Sequence, residues 1–128
     1  MRLNELHIFL LDDDTYLLKA LERIIKGLGH SVNTFSKKSV FFNWINHYAN
    51  SCLIVDLGIF NISSSTAFHE LKENKISLPV IFMTASDNSI EKQNALQNGA
   101  IDYLIKPFDA ADLYTAIKKA AAFINEKN

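Results

Sequence analysis

Several short apolar runs in this sequence end in residues that could carry out chemistry. These residues are Asp12 and Asp13 after the first run, Asp56 after the third, Thr84 after the fourth and Lys106 after the fifth. If the runs are parallel strands of one sheet, their carboxyl ends meet at one crevice, where such sheets bind ligands. Two carboxylates about 4 Å apart repel by about 1 kcal/mol in water and up to about 4 kcal/mol at an effective dielectric near 20. A hard cation with oxygen ligands, such as Mg²⁺, would remove that cost.

The same residues suit phosphoryl transfer. That chemistry needs a nucleophilic oxygen, a metal ion on the transferring oxygens and a fixed cation for the developing charge. Asp56 would attack in line and become an aspartyl phosphate, while Asp12 and Asp13 would hold the metal. Lys106 would supply the fixed positive charge, and Thr84 a hydroxyl donor.

The apolar runs themselves predict five β-strands. They lack strict alternation of apolar and polar residues, so both faces of the sheet should be covered, as in a parallel sheet. Because helical patterns separate them, we expect right-handed crossovers and a doubly wound α/β sheet. The predicted strands are His7 to Leu11, Val32 to Phe35, Cys52 to Val55, Val80 to Met83 and Tyr103 to Ile105.

Three of the five predicted helices lie before the fourth strand. The apolar stripe of the first ends before Gly29, a typical stop residue. The second stripe consists of Val40, Phe41, Trp44, Ile45 and Tyr48. A third, short helix should hold Phe68 and Leu71, with Ser65 or Thr66 as its cap.

The last two predicted helices differ in their apolar content. The fourth, roughly Asn88 to Asn98, has few large apolar residues, chiefly Ile90 and Leu96. A helix with so little to bury is a candidate moving part. The final helix has a long apolar face, and Asp109 can cap it with Asp112 in its first turn.

Composition limits the class of protein. A length of 128 residues predicts one domain, residues 1–128. The net charge of −1 argues against direct nucleic-acid binding by bulk charge. The single cysteine, Cys52, lies in an apolar run and fits a reducing cytoplasm. No apolar stretch approaches the roughly 20 residues of a membrane span, so we expect a soluble cytoplasmic protein without a membrane segment.

Four segments resemble response-regulator receiver domains of two-component systems. They are Phe9 to Asp14, Leu53 to Leu57, Pro79 to Ala85 and Asn98 to Phe108. They stand in the family's order and spacing, and the resemblance extends from about Leu6 to about Ile124. It implies a flavodoxin-like (CheY-like) fold with strand order 2-1-3-4-5 and five helices.

The resemblance also implies a role for each site residue. Asp56 corresponds to the phosphoacceptor, with Mg²⁺ as the cofactor. Asp13 corresponds to a direct metal ligand, Asp12 to a ligand acting through metal-bound water, and Gly58 to a residue offering its backbone carbonyl. The phosphoryl donor would be a sensor histidine kinase or a phosphotransfer protein.

Three further residues correspond to those that respond to phosphorylation. Thr84 and Lys106 would contact the phosphoryl oxygens, and Tyr103 would be the aromatic switch residue that turns inward. The face formed by the fourth helix, the fifth strand and the fifth helix would then bind partners or a second copy of the domain. Gly58 and Ser86 flank the path of the water that removes the phosphoryl group in this family.

The segment after Asp56 departs from the family pattern. Phe60 stands where the family has Pro, and Ser64 stands where it has Gly. The loop Ile59 to Ser65 therefore lacks a preset φ and a permissive residue.

Two other functions remain open at this point. A pseudo-receiver would keep the fold without being phosphorylated, and the unusual loop supports it. A phosphohydrolase of the haloacid dehalogenase type would carry phosphate on Asp12. The short chain, Tyr16 after the acidic run and the lack of a role for Asp56 count against that reading. The sequence also leaves open whether an effector segment follows Asn128 in the natural protein.

Overall fold

A five-stranded parallel sheet with strand order β2-β1-β3-β4-β5 forms the centre of the molecule. The structure is a computed structural model that describes residues 5–46 and 49–127. The strands are β1 (His7–Leu11), β2 (Ser31–Phe35), β3 (Ser51–Asp56), β4 (Val80–Thr84) and β5 (Asp102–Ile105). The helices are α1 (Thr15–Gly27), α2 (Lys38–Trp44), α3 (Ser64–Glu73), α4 (Ser89–Gln97) and α5 (Ala110–Lys127), with a 3₁₀ helix at Leu57–Phe60. The predicted doubly wound fold and its strand order are confirmed.

The central strands β1, β3 and β4 are buried on both faces, as the continuous apolar runs predict. In β1, Ile8 and Leu10 pack with α1 and α5, whereas Phe9 and Leu11 pack with α2, α3 and α4. Fully burying one large apolar side chain stabilises the fold by about 1.5–3 kcal/mol. Cys52 belongs to the first of these layers, and burial raises the pKa of its thiol. It therefore behaves as a small buried hydrophobe.

Helix α2 is shorter than predicted. It ends at Trp44, and Ile45 already has extended backbone angles, with φ −68° and ψ 134°. Val40, predicted to lie on the apolar face, is 51% exposed, and Tyr48 lies outside the described residues. The segment is rich in β-branched and aromatic residues, which have low helix propensity. Its N-cap, Lys37, offers no side-chain cap and opposes the helix dipole.

Capping side chains fix where two other helices begin. The hydroxyl of Ser63 accepts from the Thr66 N–H at 3.1 Å and caps α3. The predicted cap at Ser65 or Thr66 was therefore wrong, because several hydroxyl residues stand together and the extended backbone falls at Ser63. In α5 the predicted cap is confirmed: Asp109 Oδ1 accepts from the Asp112 N–H at 2.8 Å, and Asp112 Oδ2 accepts from the Asp109 N–H at 3.2 Å.

Helix α4 is as sparsely packed as its sequence predicts. Ala95 is its only buried residue, and Ile90 and Leu96 are 71% and 40% exposed. A helix with so few buried apolar groups belongs to the low-stability end of a fold. Within the described ranges, no helix of this chain is long and apolar enough to cross a membrane.

His30 ties the start of β2 to the segment before β1. Its Nδ1 accepts a hydrogen bond from the Leu6 N–H at 3.0 Å. Burial lowers the pKa of His30 below its ordinary value of 6.5, and the nearby charge of Glu5 opposes that shift. A protonated ring cannot accept this bond. Below about pH 6.5 the unfolded state therefore binds more protons than the folded state. The contribution of His30 to the free energy of unfolding is complete above about pH 6.5, and it is lost as the pH falls toward the folded pKa of His30.

We therefore expect His30→Asn to flatten the pH dependence of stability. Urea denaturation of the wild type should show a lower free energy of unfolding near pH 5.5 than near pH 7.5, and His30→Asn should show a smaller difference. His69→Gln changes an exposed histidine on α3 and serves as the control. If the free energy of unfolding falls by the same amount between pH 7.5 and pH 5.5 in wild type and in His30→Asn, this role for His30 is contradicted.

Candidate phosphorylation site

The acidic run after β1 turns directly into α1. Asp12 is fully buried, and its Oδ1 accepts from the Asp14 N–H at 2.9 Å. Asp14 caps α1, since its Oδ1 accepts from the N–H groups of Tyr16 and Leu17 at 3.1 Å. Asp13, between them, is exposed. The three consecutive aspartates therefore have different surroundings, and Asp14 has a local structural task.

The ends of β1, β3 and β5 bring three carboxylates and one ammonium group together. Asp12, Asp13 and Asp56 each place one carboxylate oxygen within 4.8 Å of the others. Lys106 Nζ lies 2.7 Å from Asp12 Oδ2 and 3.5 Å from Asp56 Oδ1. The Lys106 N–H donates to the Thr84 carbonyl oxygen at 2.7 Å, which fixes the end of β5 beside the end of β4.

Burial and repulsion both act on Asp56. Burial, followed by the negative charge of Asp12, raises the pKa of Asp56, while Lys106 and the Gly58 N–H act in the opposite direction. Burial alone would lower the pKa of Lys106, but its hydrogen bond and attraction to Asp12 and its attraction to Asp56 outweigh this, so the pKa of Lys106 is raised. Lys106 is therefore a fixed cation that compensates only part of the negative charge.

The donor set fits a divalent cation. All three groups offer carboxylate oxygens, the ligands that hard cations such as Mg²⁺ and Ca²⁺ prefer. One ammonium group cannot neutralise three carboxylates, and the remaining repulsion from Asp12 adds to burial in raising the pKa of Asp56. A bound cation would relieve that repulsion.

The predicted switch residues lie next to this cluster. Thr84 ends β4 and is buried, and its Oγ1 accepts from the N–H of the exposed Ser86 at 3.1 Å. Tyr103 is 3% exposed, so its ring already occupies the inward position. Its hydroxyl makes no hydrogen bond of good geometry among the described residues, but the Thr84 side chain lies close enough to oppose the rise in its pKa. Burial raises the pKa of Tyr103, with a further contribution from the nearby charge of Glu91.

The unusual segment after Asp56 forms a compact turn that was not predicted. Phe60, which stands where the family has Pro, is fully buried in the layer formed with α2 and α3. Asn61 and Ile62 both have left-handed backbone angles, with φ of 57° and 62°, a conformation rarely adopted by a β-branched residue. A Cβ at Gly58 would lie 3.1 Å from Asp56 Oδ2, so the absence of a side chain there leaves room for the carboxylate.

Sequence reasoning missed Glu91. Its Oε1 accepts from the Ser64 N–H at 2.8 Å, and so joins α4 to the first turn of α3. The spacing of Asn88 and Glu91 resembles a capping box, which would predict a bond from Glu91 back to its own helix. Only the three-dimensional arrangement shows that the carboxylate reaches a different helix.

Known proteins resemble this chain in sequence and in fold. The chain is 36% identical over 113 residues to the response regulator protein TodT of Pseudomonas putida. The aligned residues make up 88% of this chain and 50% of TodT. It is 33% identical over 113 residues to the transcriptional regulatory protein CrdR of Helicobacter pylori, covering 88% of this chain and 53% of CrdR. A response regulator receiver domain protein from Clostridium thermocellum has a solved structure that superposes with a TM-score of 0.75, at 27% identity, over 95% of this chain and 96% of that one.

The chain spans about half the length of these curated relatives. The sequence profile of the family described as "Response regulator receiver domain" matches residues 8–118. That range includes the acidic cluster, Thr84, Tyr103 and Lys106. This chain therefore belongs to the response regulator receiver domain family.

Proposed function

We propose that this domain accepts a phosphoryl group on Asp56, in the presence of Mg²⁺, from a histidine kinase or a phosphotransfer protein in the cytoplasm. The observation that carries the proposal is the convergence of Asp12, Asp13 and Asp56 within 4.8 Å, with Lys106 between Asp12 and Asp56. Membership of the receiver family supports the same reading.

The chemistry follows from the surroundings of Asp56. A carboxylate oxygen of Asp56 attacks phosphorus, a P–O bond forms, and the bond from phosphorus to the donor nitrogen breaks as the histidine leaves. Lys106, held 3.5 Å from Asp56 Oδ1, is placed to neutralise charge on the phosphoryl oxygens. Thr84 supplies a hydroxyl at the neighbouring strand end.

The metal-holding roles can be divided among the acidic residues. Both oxygens of Asp12 are already engaged, by the Asp14 N–H at 2.9 Å and by Lys106 at 2.7 Å, which supports a role through water. Asp13 is exposed at the crevice and suits direct coordination. The Gly58 carbonyl accepts from the Asn61 N–H at 3.3 Å and retains a second lone pair for a cation. When bound, Mg²⁺ would supply charge neutralisation of the transferring oxygens.

The output face is also part of the proposal. Helix α4 exposes Ile90 and Leu96, and α5 exposes Tyr114 at 46%, so the surface of α4, β5 and α5 offers apolar contacts to a partner or a second copy. Exchange measurements with a phosphoryl mimic should place the largest changes between Thr84 and Phe108. Changes confined to α2 would contradict this output face.

The proposed function is tested by the intact mass of the protein after incubation with a small phosphodonor. Wild type and Asp14→Asn, which alters only the helix cap, should each gain one phosphoryl group when Mg²⁺ is present. Asp56→Asn, and wild type in a chelator, should gain none. Equal modification of wild type and Asp56→Asn would contradict the assignment.

A further inference from the structure

A carboxylate on α4 is bonded to the first turn of α3. Glu91 Oε1 accepts from the Ser64 N–H at 2.8 Å, across 27 residues of sequence. Ser64 is the first residue of α3 and is fully buried, and the N–H groups of a first helical turn have no partner within their own helix. A negative charge at this position also interacts favourably with the α3 dipole. The contact therefore satisfies a buried donor as well as joining two helices.

The hydrogen bond between Glu91 and Ser64 is important for the position of α4, because few other contacts hold this helix. Ala95 is the only buried residue of this helix, and its large apolar residues Ile90 and Leu96 face solvent. Glu91 is itself only partly exposed and lies close enough to the Tyr103 hydroxyl to contribute to its raised pKa. One side chain thus faces both the switch tyrosine and the start of α3.

Backbone hydrogen bonds within the segment between Asp56 and Ser64 connect its two ends. The Ile62 N–H donates to the Leu57 carbonyl oxygen at 3.0 Å, and the Ser63 N–H donates to the Phe60 carbonyl oxygen at 3.2 Å. Gly58 belongs to this unit. A continuous set of contacts therefore leads from Ser64 to Gly58, whose N–H interacts with Asp56.

We propose that Glu91 is a positioning residue that holds α4 against the first turn of α3, and thereby fixes the Gly58 turn for metal binding at Asp56. The inference rests on the proposed function, because it gives Glu91 a part in assembling the same site. Coupling is reciprocal. Metal binding at the Asp56 site should therefore also tighten the hold on α4, by a route separate from Thr84 and Tyr103.

Four substitutions separate the hydrogen bond from other effects. Glu91→Ala removes the acceptor, while Glu91→Gln keeps an oxygen acceptor at the same length. Ser64→Pro removes the donor, and proline is favoured at the first helical position. The backbone of Ser63, with φ −118° and ψ 117°, already suits a residue that precedes proline. Ser64→Ala keeps the N–H and controls for loss of the hydroxyl.

The first measurement does not depend on metal or phosphate. Amide hydrogen exchange of α4 in metal-free protein should be faster in Glu91→Ala and Ser64→Pro than in wild type. Glu91→Gln and Ser64→Ala should exchange at rates close to wild type. Unchanged α4 exchange in Glu91→Ala and Ser64→Pro would overturn the inference, even if the domain binds no metal at all.

The second measurement is Mg²⁺ affinity by titration calorimetry. Glu91→Ala and Ser64→Pro should each weaken binding about three- to tenfold, less than the loss of a partner bonded directly to a metal ligand. The double variant should bind no more weakly than either single variant, because both remove one bond. Wild-type affinity in both single variants, or additive losses in the double variant, would overturn the inference. If wild type itself binds no Mg²⁺, the proposed function fails, and α4 exchange alone decides the role of Glu91.

Discussion

Replacing Ser86 with Glu is expected to speed loss of the phosphoryl group from Asp56 by about tenfold or more, which is below the roughly hundredfold or more that a well-placed general base contributes. An aspartyl phosphate is lost when water attacks in line, opposite the Asp56 oxygen. Gly58 and Ser86 correspond to the positions that flank this line in the family. Gly58 has no side chain, and the short hydroxyl of Ser86 is not a strong base near neutral pH. The wild type should therefore lose its phosphoryl group slowly or at an intermediate rate, although the open position at Gly58 admits solvent.

The geometry at Gly58 decides the control for this experiment. A Cβ there would lie 3.1 Å from Asp56 Oδ2, so any substitution also presses on the phosphoacceptor. Gly58→Ala adds that contact alone, whereas Gly58→Asn adds an amide that can orient water. With Mg²⁺ held constant, the double variant Gly58→Asn Ser86→Glu should lose phosphate faster than Gly58→Ala and wild type. If the double variant loses phosphate no faster than Gly58→Ala or the wild type, water orientation does not limit the loss of the phosphoryl group.

Replacing Lys106 with Met is expected to lower the stability of the metal-free protein by about 2 kcal/mol. Removing one partner of a buried ion pair costs about 3–5 kcal/mol, and the partial exposure of Lys106 (22%, against 1% for Asp12) reduces that figure. The substitution leaves Asp12, Asp13 and Asp56 facing one another without their cation. Asp13→Asn acts in the opposite direction, because it removes one of the repelling charges.

Thermal denaturation with and without Mg²⁺ checks this expectation. Mg²⁺ should raise the melting temperature of the wild type, since saturation at 100 times the Kd adds about 2.7 kcal/mol. Mg²⁺ should restore part of the melting temperature that Lys106→Met loses. It should raise the melting temperature of Asp13→Asn less than that of the wild type. Lys119→Met breaks a more exposed pair, Lys119–Asp102 at 3.1 Å, and should change the melting temperature little. Equal effects of the two lysine substitutions, or no response to Mg²⁺, would contradict the account.

Much of the fold could be predicted because its signals are long and redundant. The strand β1 was predicted with its observed bounds, His7–Leu11, and the other strands to within one residue at either end. The site followed from topology, because Asp56 and Lys106 stand at the carboxyl ends of strands in a parallel sheet. The predicted bounds of α4, roughly Asn88 to Asn98, lie one residue outside the observed helix at each end, and the Asn88 side chain caps it by accepting from the Ile90 and Glu91 N–H groups.

The features that were missed depend on tertiary contacts. Helix α2 stops at Trp44 although its apolar spacing continues, because periodicity does not record where packing ends. The left-handed angles of Asn61 and Ile62 arise from a turn in which Phe60 enters the core, and no Gly marks them. The bond from Glu91 to Ser64 joins two helices whose relative position the sequence does not specify.

The most direct test of the central claim is to identify the aspartate that carries the phosphoryl group. After incubation with a small phosphodonor and Mg²⁺, borohydride reduces an aspartyl phosphate to homoserine, and peptide mass spectrometry locates it. We predict homoserine at residue 56 and unmodified aspartate at residues 12 and 13. Homoserine at residue 12, or at none of the three positions under conditions that phosphorylate a known receiver domain, would contradict the account.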